Sequence, residues 1–142
     1  MGSEIEIKIR VPNQTQFLSL VGRIGENVAR EMCQLPDNKE FCANNLSVVV
    51  TEAVANAIKH ANASDSDIYL TIGINISEKE LFVRVYDSGT GFDLESIPTP
   101  DLDSGSLEES GRGLFIIRSL MDSVVYKKAN GGNVLEMKKL LA

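Results

Sequence analysis

Two runs in the middle of the chain alternate so regularly that they constrain the fold more than any other feature. In the first, Ile68, Leu70, Ile72, Ile74 and Ile76 take every second position, and in the second Leu81, Val83 and Val85 do the same. Successive side chains of a strand point to opposite faces, so each run has one apolar face and one polar face. Ser77-Glu78-Lys79-Glu80 is a connection of hairpin length. The pair therefore reads as an antiparallel hairpin with one face buried.

The same period appears at the N-terminus. Ile5, Ile7, Ile9 and Val11 alternate with Glu4, Glu6, Lys8 and Arg10, and Pro12 ends the pattern, as expected of a half-buried strand. Asn13 or Thr15 can then cap a helix through about Met32, with Phe17, Leu20, Val21, Ile24 and Val28 as its apolar stripe. Leu35-Pro36-Asp37-Asn38 is a loop, and a second helix spans about Lys39 to Ala61. Asp87 closes the second strand of the hairpin. A helix is expected from about Gly113 to Met121, then strands near Val124–Lys128 and Asn133–Leu140 around an Asn130-Gly131-Gly132 turn. This order predicts an α+β, two-layer sandwich: a mixed, mostly antiparallel sheet with helices on one face.

The segment from Ser88 to Ser110 is too long for an ordinary connector, and loops of such length are commonly lids. It also carries the charge. Asp93, Glu95, Asp101, Asp103, Glu108 and Glu109 lie there with no Lys or Arg, and the acids and bases of the remaining chain balance, so the whole net charge of −6 sits in this one stretch. A chain of 142 residues with that balance fits a single domain, residues 1–142, with a lid at about 93–110. An acidic surface argues against nucleic acid as a direct partner. No run approaches the ~20 apolar residues of a membrane span, and Cys33 and Cys42 make neither a disulfide framework nor a zinc site. A cytoplasmic protein with reduced thiols is the simplest expectation.

Three pieces can carry chemistry. Glu52, Asn56 and His60 recur every four residues along one side of the second helix, bordering the apolar face of Leu46, Val50, Ala53 and Ala57. The Asn56 side-chain oxygen suits a hard cation such as Mg²⁺, and Glu52 one turn away can orient or deprotonate a nucleophile next to a metal-bound γ-phosphate. All three could equally be boundary polar residues. For Glu52 and Asn56 these readings balance, while a lone His60 is more often a packing or capping residue. Asp87-Ser88-Gly89-Thr90-Gly91-Phe92 follows a strand directly. Its glycines permit a sharp turn and a close approach, and its carboxylate can accept a hydrogen bond from an exocyclic amine. Gly111-Arg112-Gly113-Leu114 opens a helix, where free N–H groups and the helix dipole favour phosphate. Either glycine piece alone is also an ordinary turn. No P-loop is present.

In this order the pieces resemble the GHKL (Bergerat-fold) ATP-binding superfamily. Thr51-Glu52-Ala53-Val54-Ala55-Asn56-Ala57 looks like its N box, Asp87 to Phe92 its first glycine box and Gly111 to Leu114 its second. The resemblance implies ATP and Mg²⁺ as cofactors, with Asn56 binding the metal and Glu52 acting as the base. It further implies that Asp87 reads adenine, Gly89 and Gly91 shape that side, and Gly111, Arg112, Gly113 and Leu114 line the phosphates. Where the family often has Gly-Gly-Thr, Asn133 follows Gly131-Gly132, and its amide can still hydrogen-bond the nucleotide.

A stand-alone module with Asn56-Ala57-Ile58-Lys59-His60-Ala61 and Gly113-Leu114-Phe115-Ile116-Ile117 is most similar to the anti-sigma-factor serine/threonine kinases. That resemblance implies phosphorylation of a STAS-domain anti-anti-sigma protein, alternating with sequestration of a sigma factor. Related kinases often form homodimers. The alternative is an ATP-sensing adaptor that transfers no phosphate. A third reading, transfer to a histidine on another protein, follows from His60 being the one histidine of the chain and lying in the nucleotide-site helix.

Overall fold

The computed structural model describes residues 4–32, 39–60, 69–77, 79–87, 109–129 and 132–140. Strand β1 (Ile5–Pro12) leads through a single 3-10 turn (Thr15–Phe17) into helix α1 (Leu18–Met32), which is followed by α2 (Lys39–His60). Strands β2 (Tyr69–Ile76) and β3 (Glu80–Asp87) come next, then α3 (Glu109–Leu120), β4 (Ser123–Ala129) and β5 (Gly132–Leu140). The five strands form one sheet in the order β1-β2-β3-β5-β4. Every pairing is antiparallel, where a mixed, mostly antiparallel sheet was expected.

Register explains why one face is dry. Ile7, Ile74, Val83, Met137 and Val124 stand in one cross-strand row, and Ile9, Ile72, Val85, Leu135 and Tyr126 in the next. A slip of one residue would turn every one of these side chains to solvent. Ile72, Ile74, Val83 and Met137 are fully buried and join one core with Val49, Val50, Ala53 and Val54 of α2, Val21 of α1 and Ile117 of α3. Each such side chain contributes about 1.5–3 kcal/mol by leaving water. The opposite face keeps a polar ladder: Arg84 Nε bonds Glu136 Oε2 at 2.8 Å, and Lys138 pairs with Glu80 at 3.6 Å.

The β2–β3 hairpin closes where the sequence places it. The Ser77 N–H donates to the Glu80 carbonyl at 2.9 Å, and Ser77 Oγ accepts from the Lys79 and Glu80 N–H groups. At the other hairpin, Asp122 anchors the start of β4. Its N–H donates to the Lys138 carbonyl at 2.8 Å, and its Oδ2 accepts from the Leu140 N–H at 2.6 Å.

Three expectations need correction. Neither Asn13 nor Thr15 caps α1: Gln14 precedes the 3-10 turn, without a side-chain cap bond, and Asn13 is buried. Leu20 does not belong to the apolar stripe of α1, being 44% exposed. The contact line with α2 instead follows the small residues. A Cβ on Gly22 would collide with Thr51 Oγ1, and one on Gly25 would stand 3.1 Å from Val50 Cγ2. Lacking side chains there, the two helices approach closely, which rotates Leu20 outward. Finally, α3 begins at Glu109 rather than at Gly113, overlapping the last two residues of the expected lid, whose remainder lies outside the described residues. Among the described residues no helix is long and apolar enough to cross a membrane.

Candidate functional site

The end of β3 and the start of β5 meet at one end of the sheet, where Asp87 lies opposite Asn133. Both follow the phase of Val85 and Leu135, so both side chains face the helices, and they are 8% and 5% exposed. A buried carboxylate is tolerated only when it is hydrogen-bonded. Asn133 Nδ2 donates to Asp87 Oδ1 at 3.0 Å, and the Tyr126 hydroxyl donates to Asp87 Oδ2 at 3.3 Å. Burial, the nearby Asp87 charge and this hydrogen bond push the Tyr126 phenol far above its ordinary value. Tyr126 was not among the residues singled out from sequence. It reaches Asp87 because β5 inserts between β3 and β4, a non-local arrangement that no local pattern announces.

Helix α2 carries a second group of candidate residues. Leu46, Val50, Ala53 and Ala57 are buried as expected, which turns Glu52 and Asn56 toward the border of that face. Asn56 is 6% exposed, yet its Oδ1 has no hydrogen-bond partner among the described residues. Leaving a buried acceptor unpaired costs about 1–3 kcal/mol, and such an atom in a folded protein calls for an ion, water or ligand. An amide oxygen is a ligand type that Mg²⁺ accepts, and that ion is usually held by one or two protein oxygens together with nucleotide phosphates. Asn56 fits the group.

Helix α3 places the second glycine piece differently from expectation. The first four N–H groups of a helix have no intrahelical acceptor. With α3 starting at Glu109, Gly111 and Arg112 fall in that first turn and Gly113 lies just beyond it. Gly113 has another physical reason to be glycine: a Cβ there would stand 2.7 Å from Glu52 Oε2. The residue that lets α3 approach α2 is therefore the one facing the half-buried Glu52. Leu114 is 2% exposed and belongs to the core. Gly89 and Gly91 lie outside the described residues. His60 is the last residue of α2.

A five-stranded antiparallel sheet packed against helices, a buried Asp at the end of β3, a buried Asn on α2 and a glycine of α3 against Glu52 are the features of a class of nucleotide-binding domain. The family model described as the histidine kinase-like ATPase domain matches residues 18–139. The serine-protein kinase RsbW of Listeria monocytogenes is 38% identical over 142 residues, covering 94% of this chain and 86% of that one. RsbW of Oceanobacillus iheyensis is 30% identical, covering 96% and 87%, and RsbW of Bacillus subtilis 30%, covering 94% and 85%. The chain belongs to the histidine kinase-like ATPase family, and within it to the ATP-dependent serine-protein kinases of the RsbW type.

Among solved structures, the fold is similar to a chain of the SiaB-SiaC complex from Pseudomonas aeruginosa, with a TM-score of 0.60, 15% identity, and coverage of 94% and 89%. It is also similar to the histidine kinase domain of the blue-light activated histidine kinase of Erythrobacter litoralis EL346, with a TM-score of 0.51, 16% identity, and coverage of 92% and 62%. At these identities the likeness concerns the fold.

Proposed function

We propose that this chain transfers the γ-phosphate of ATP to a serine or threonine of a STAS-domain anti-anti-sigma protein, and that it sequesters a sigma factor when that antagonist is phosphorylated. The buried, unpartnered Oδ1 of Asn56, one helical turn from Glu52, carries this reading. Membership among kinases named for protein serine supports the acceptor class.

Each residue then has a task. Asp87, held by Asn133 and Tyr126, presents its carboxylate to the exocyclic amine of adenine. In this role Asn133 orients the reading carboxylate, in place of the Thr that would contact the nucleotide itself. Gly111 and Arg112 offer first-turn N–H groups to phosphate oxygens. Asn56 Oδ1 would hold Mg²⁺, which when bound neutralises charge on the phosphate oxygens. Glu52 takes the proton of the acceptor hydroxyl on its carboxylate and keeps the oxygen aimed along the line of attack. Such a protein works in the cytoplasm, where ATP and sigma factors are found.

The test follows labelled γ-phosphate onto a purified STAS-domain partner. Glu52→Ala should retain ATP binding and lose transfer by a factor on the order of 10²–10⁴. Full transfer by Glu52→Ala would refute the assignment of the base. Transfer by neither protein, with partner affinity still responding to ATP, would make the chain an ATP-sensing adaptor. An acid-labile phosphoprotein product would move the acceptor to histidine.

A further inference from the structure

Two donors from two different strands meet on the carboxylate of Asp87, one at each oxygen. Asn133 Nδ2 donates to Oδ1 at 3.0 Å, and the Tyr126 hydroxyl donates to Oδ2 at 3.3 Å. Asn133 stands directly opposite Asp87 in the register of β3 and β5. Tyr126 comes from further away. It belongs to β4, the outer strand beyond β5, where it stands opposite Leu135, so its hydroxyl crosses over β5 to arrive at Asp87. The Tyr126 ring packs against the core, and the hydroxyl is therefore delivered from a fixed platform.

Keeping a buried carboxylate hydrogen-bonded is one use of such donors, and donors on a single oxygen serve that end. The arrangement here does something narrower. A carboxylate held at one oxygen still turns about its Cβ–Cγ bond, because that torsion is broad. One held at both oxygens, from β5 and from β4, has a fixed plane. Both partners donate, so Asp87 acts as an acceptor on each side. Burial and the Asp87 charge push the Tyr126 phenol above its ordinary value, which keeps it protonated, and a donor, at neutral pH.

A fixed acceptor at the base end of a nucleotide cleft discriminates by the group on C6 of a purine. An amine donates to it. A hydrogen at C6 leaves the acceptor desolvated without a bond, and a keto oxygen sets acceptor against acceptor. The sharper the aim of the carboxylate, the larger the difference between these three ligands.

We propose that Tyr126 is a specificity-determining residue of the nucleotide site: together with Asn133 it locks the plane of the Asp87 carboxylate, and so makes the site select a purine bearing a 6-amino group. Tyr126 acts through Asp87, as a positioning residue. The inference deepens the reading of Asp87 as the base contact and rests on it.

Calorimetric titration of the full chain in Mg²⁺ buffer tests it, with ATP and with purine riboside triphosphate, which has the same sugar and phosphates but no 6-amine. Wild type should prefer ATP by at least about tenfold, since a site built around a hydrogen bond rejects a ligand that lacks the donor. Tyr126→Phe keeps the ring and removes the hydroxyl. It should weaken ATP binding about five- to tenfold, the size of one rather long hydrogen bond to a charged group. Purine riboside triphosphate should stay within about twofold of its wild-type affinity, because the lost interaction is coupled to the amine. Asn133 gives a second route, independent of how Tyr126→Phe folds. Asn133→Thr keeps a donor beside Asp87 and should keep the preference for ATP, whereas the isosteric Asn133→Val should lose it. Equal losses of both nucleotides in Tyr126→Phe and Asn133→Val would mark a purely structural role and overturn the proposal. An undiminished preference for ATP in both variants would overturn it while leaving Asp87 as the base contact. A wild type indifferent to the 6-amine would overturn both readings.

Discussion

Replacing Gly113 by alanine separates the stability of this protein from its catalysis. The added methyl would sit 2.7 Å from Glu52 Oε2, where ordinary contact begins near 3.4 Å. The carboxylate must therefore retreat by about 0.7 Å. It is the far end of a flexible side chain, so the fold absorbs the change: an off-rotamer Glu52 costs about 0.5–1.5 kcal/mol. Alanine in a helix interior returns about 1 kcal/mol relative to glycine. Net stability should change by less than about 1 kcal/mol, a shift of a few degrees in Tm. Catalysis has no such compensation. Displacing a catalytic group by about 1 Å costs on the order of 10²-fold, so kcat of Gly113→Ala should fall roughly 10- to 100-fold, with KM for ATP changing much less. Steady-state transfer to the STAS-domain substrate and thermal unfolding give both quantities. A double-mutant cycle supplies the control, because in a Glu52→Gln background the alanine should cost almost nothing further. A kcat within twofold of wild type, or an equal loss in both backgrounds, would refute the idea that Gly113 acts by positioning Glu52.

Three further outcomes follow from groups already described. Asn56→Ala removes a buried acceptor that has no partner among the described residues, so unfolding free energy should hold or rise slightly while affinity for MgATP, measured by calorimetry with and without EDTA, falls more than tenfold. Asn13 is 8% exposed with neither amide atom partnered among the described residues, so Asn13→Ala should stabilise the fold by about 1 kcal/mol in chemical denaturation. The Tyr126 phenol has its proton affinity raised in the folded state by burial first and Asp87 second. Its contribution is complete below the unfolded-state value near 10 and is lost as pH rises from there toward the folded value, because the unfolded chain releases the proton first. Tyr126→Phe should flatten the alkaline decline in stability, and an unchanged decline would contradict the assignment.

The parts of the fold legible in sequence are those with a short-range cause. Alternation fixed β1, β2 and β3 to within a residue or two, since a strand with one dry face has no other way to place its isoleucines. The buried face of α2 was legible for a similar reason: Glu52 and Asn56 border its apolar residues at four-residue spacing. What escaped has long-range causes. Leu20 looks apolar and Gly22 and Gly25 do not, yet the glycines mark the contact line because closeness, rather than hydrophobicity, sets it. Gly113 looks like a helix start in a local scan, whereas its reason is Glu52 on another helix. Asn133 and Tyr126 converge on Asp87 only once β5 lies between β3 and β4.

Thr51 and Glu52 are consecutive on α2, and each is met by a glycine from a different neighbour, Gly22 of α1 and Gly113 of α3. The turn bearing Glu52 is thus gripped like a shaft between two bearings. Neither bearing can shift without moving the shaft, and on its far side α1 presents Leu20 and Arg23 outward. A displacement of either neighbouring helix would then be felt at the same carboxylate, within a single turn of α2.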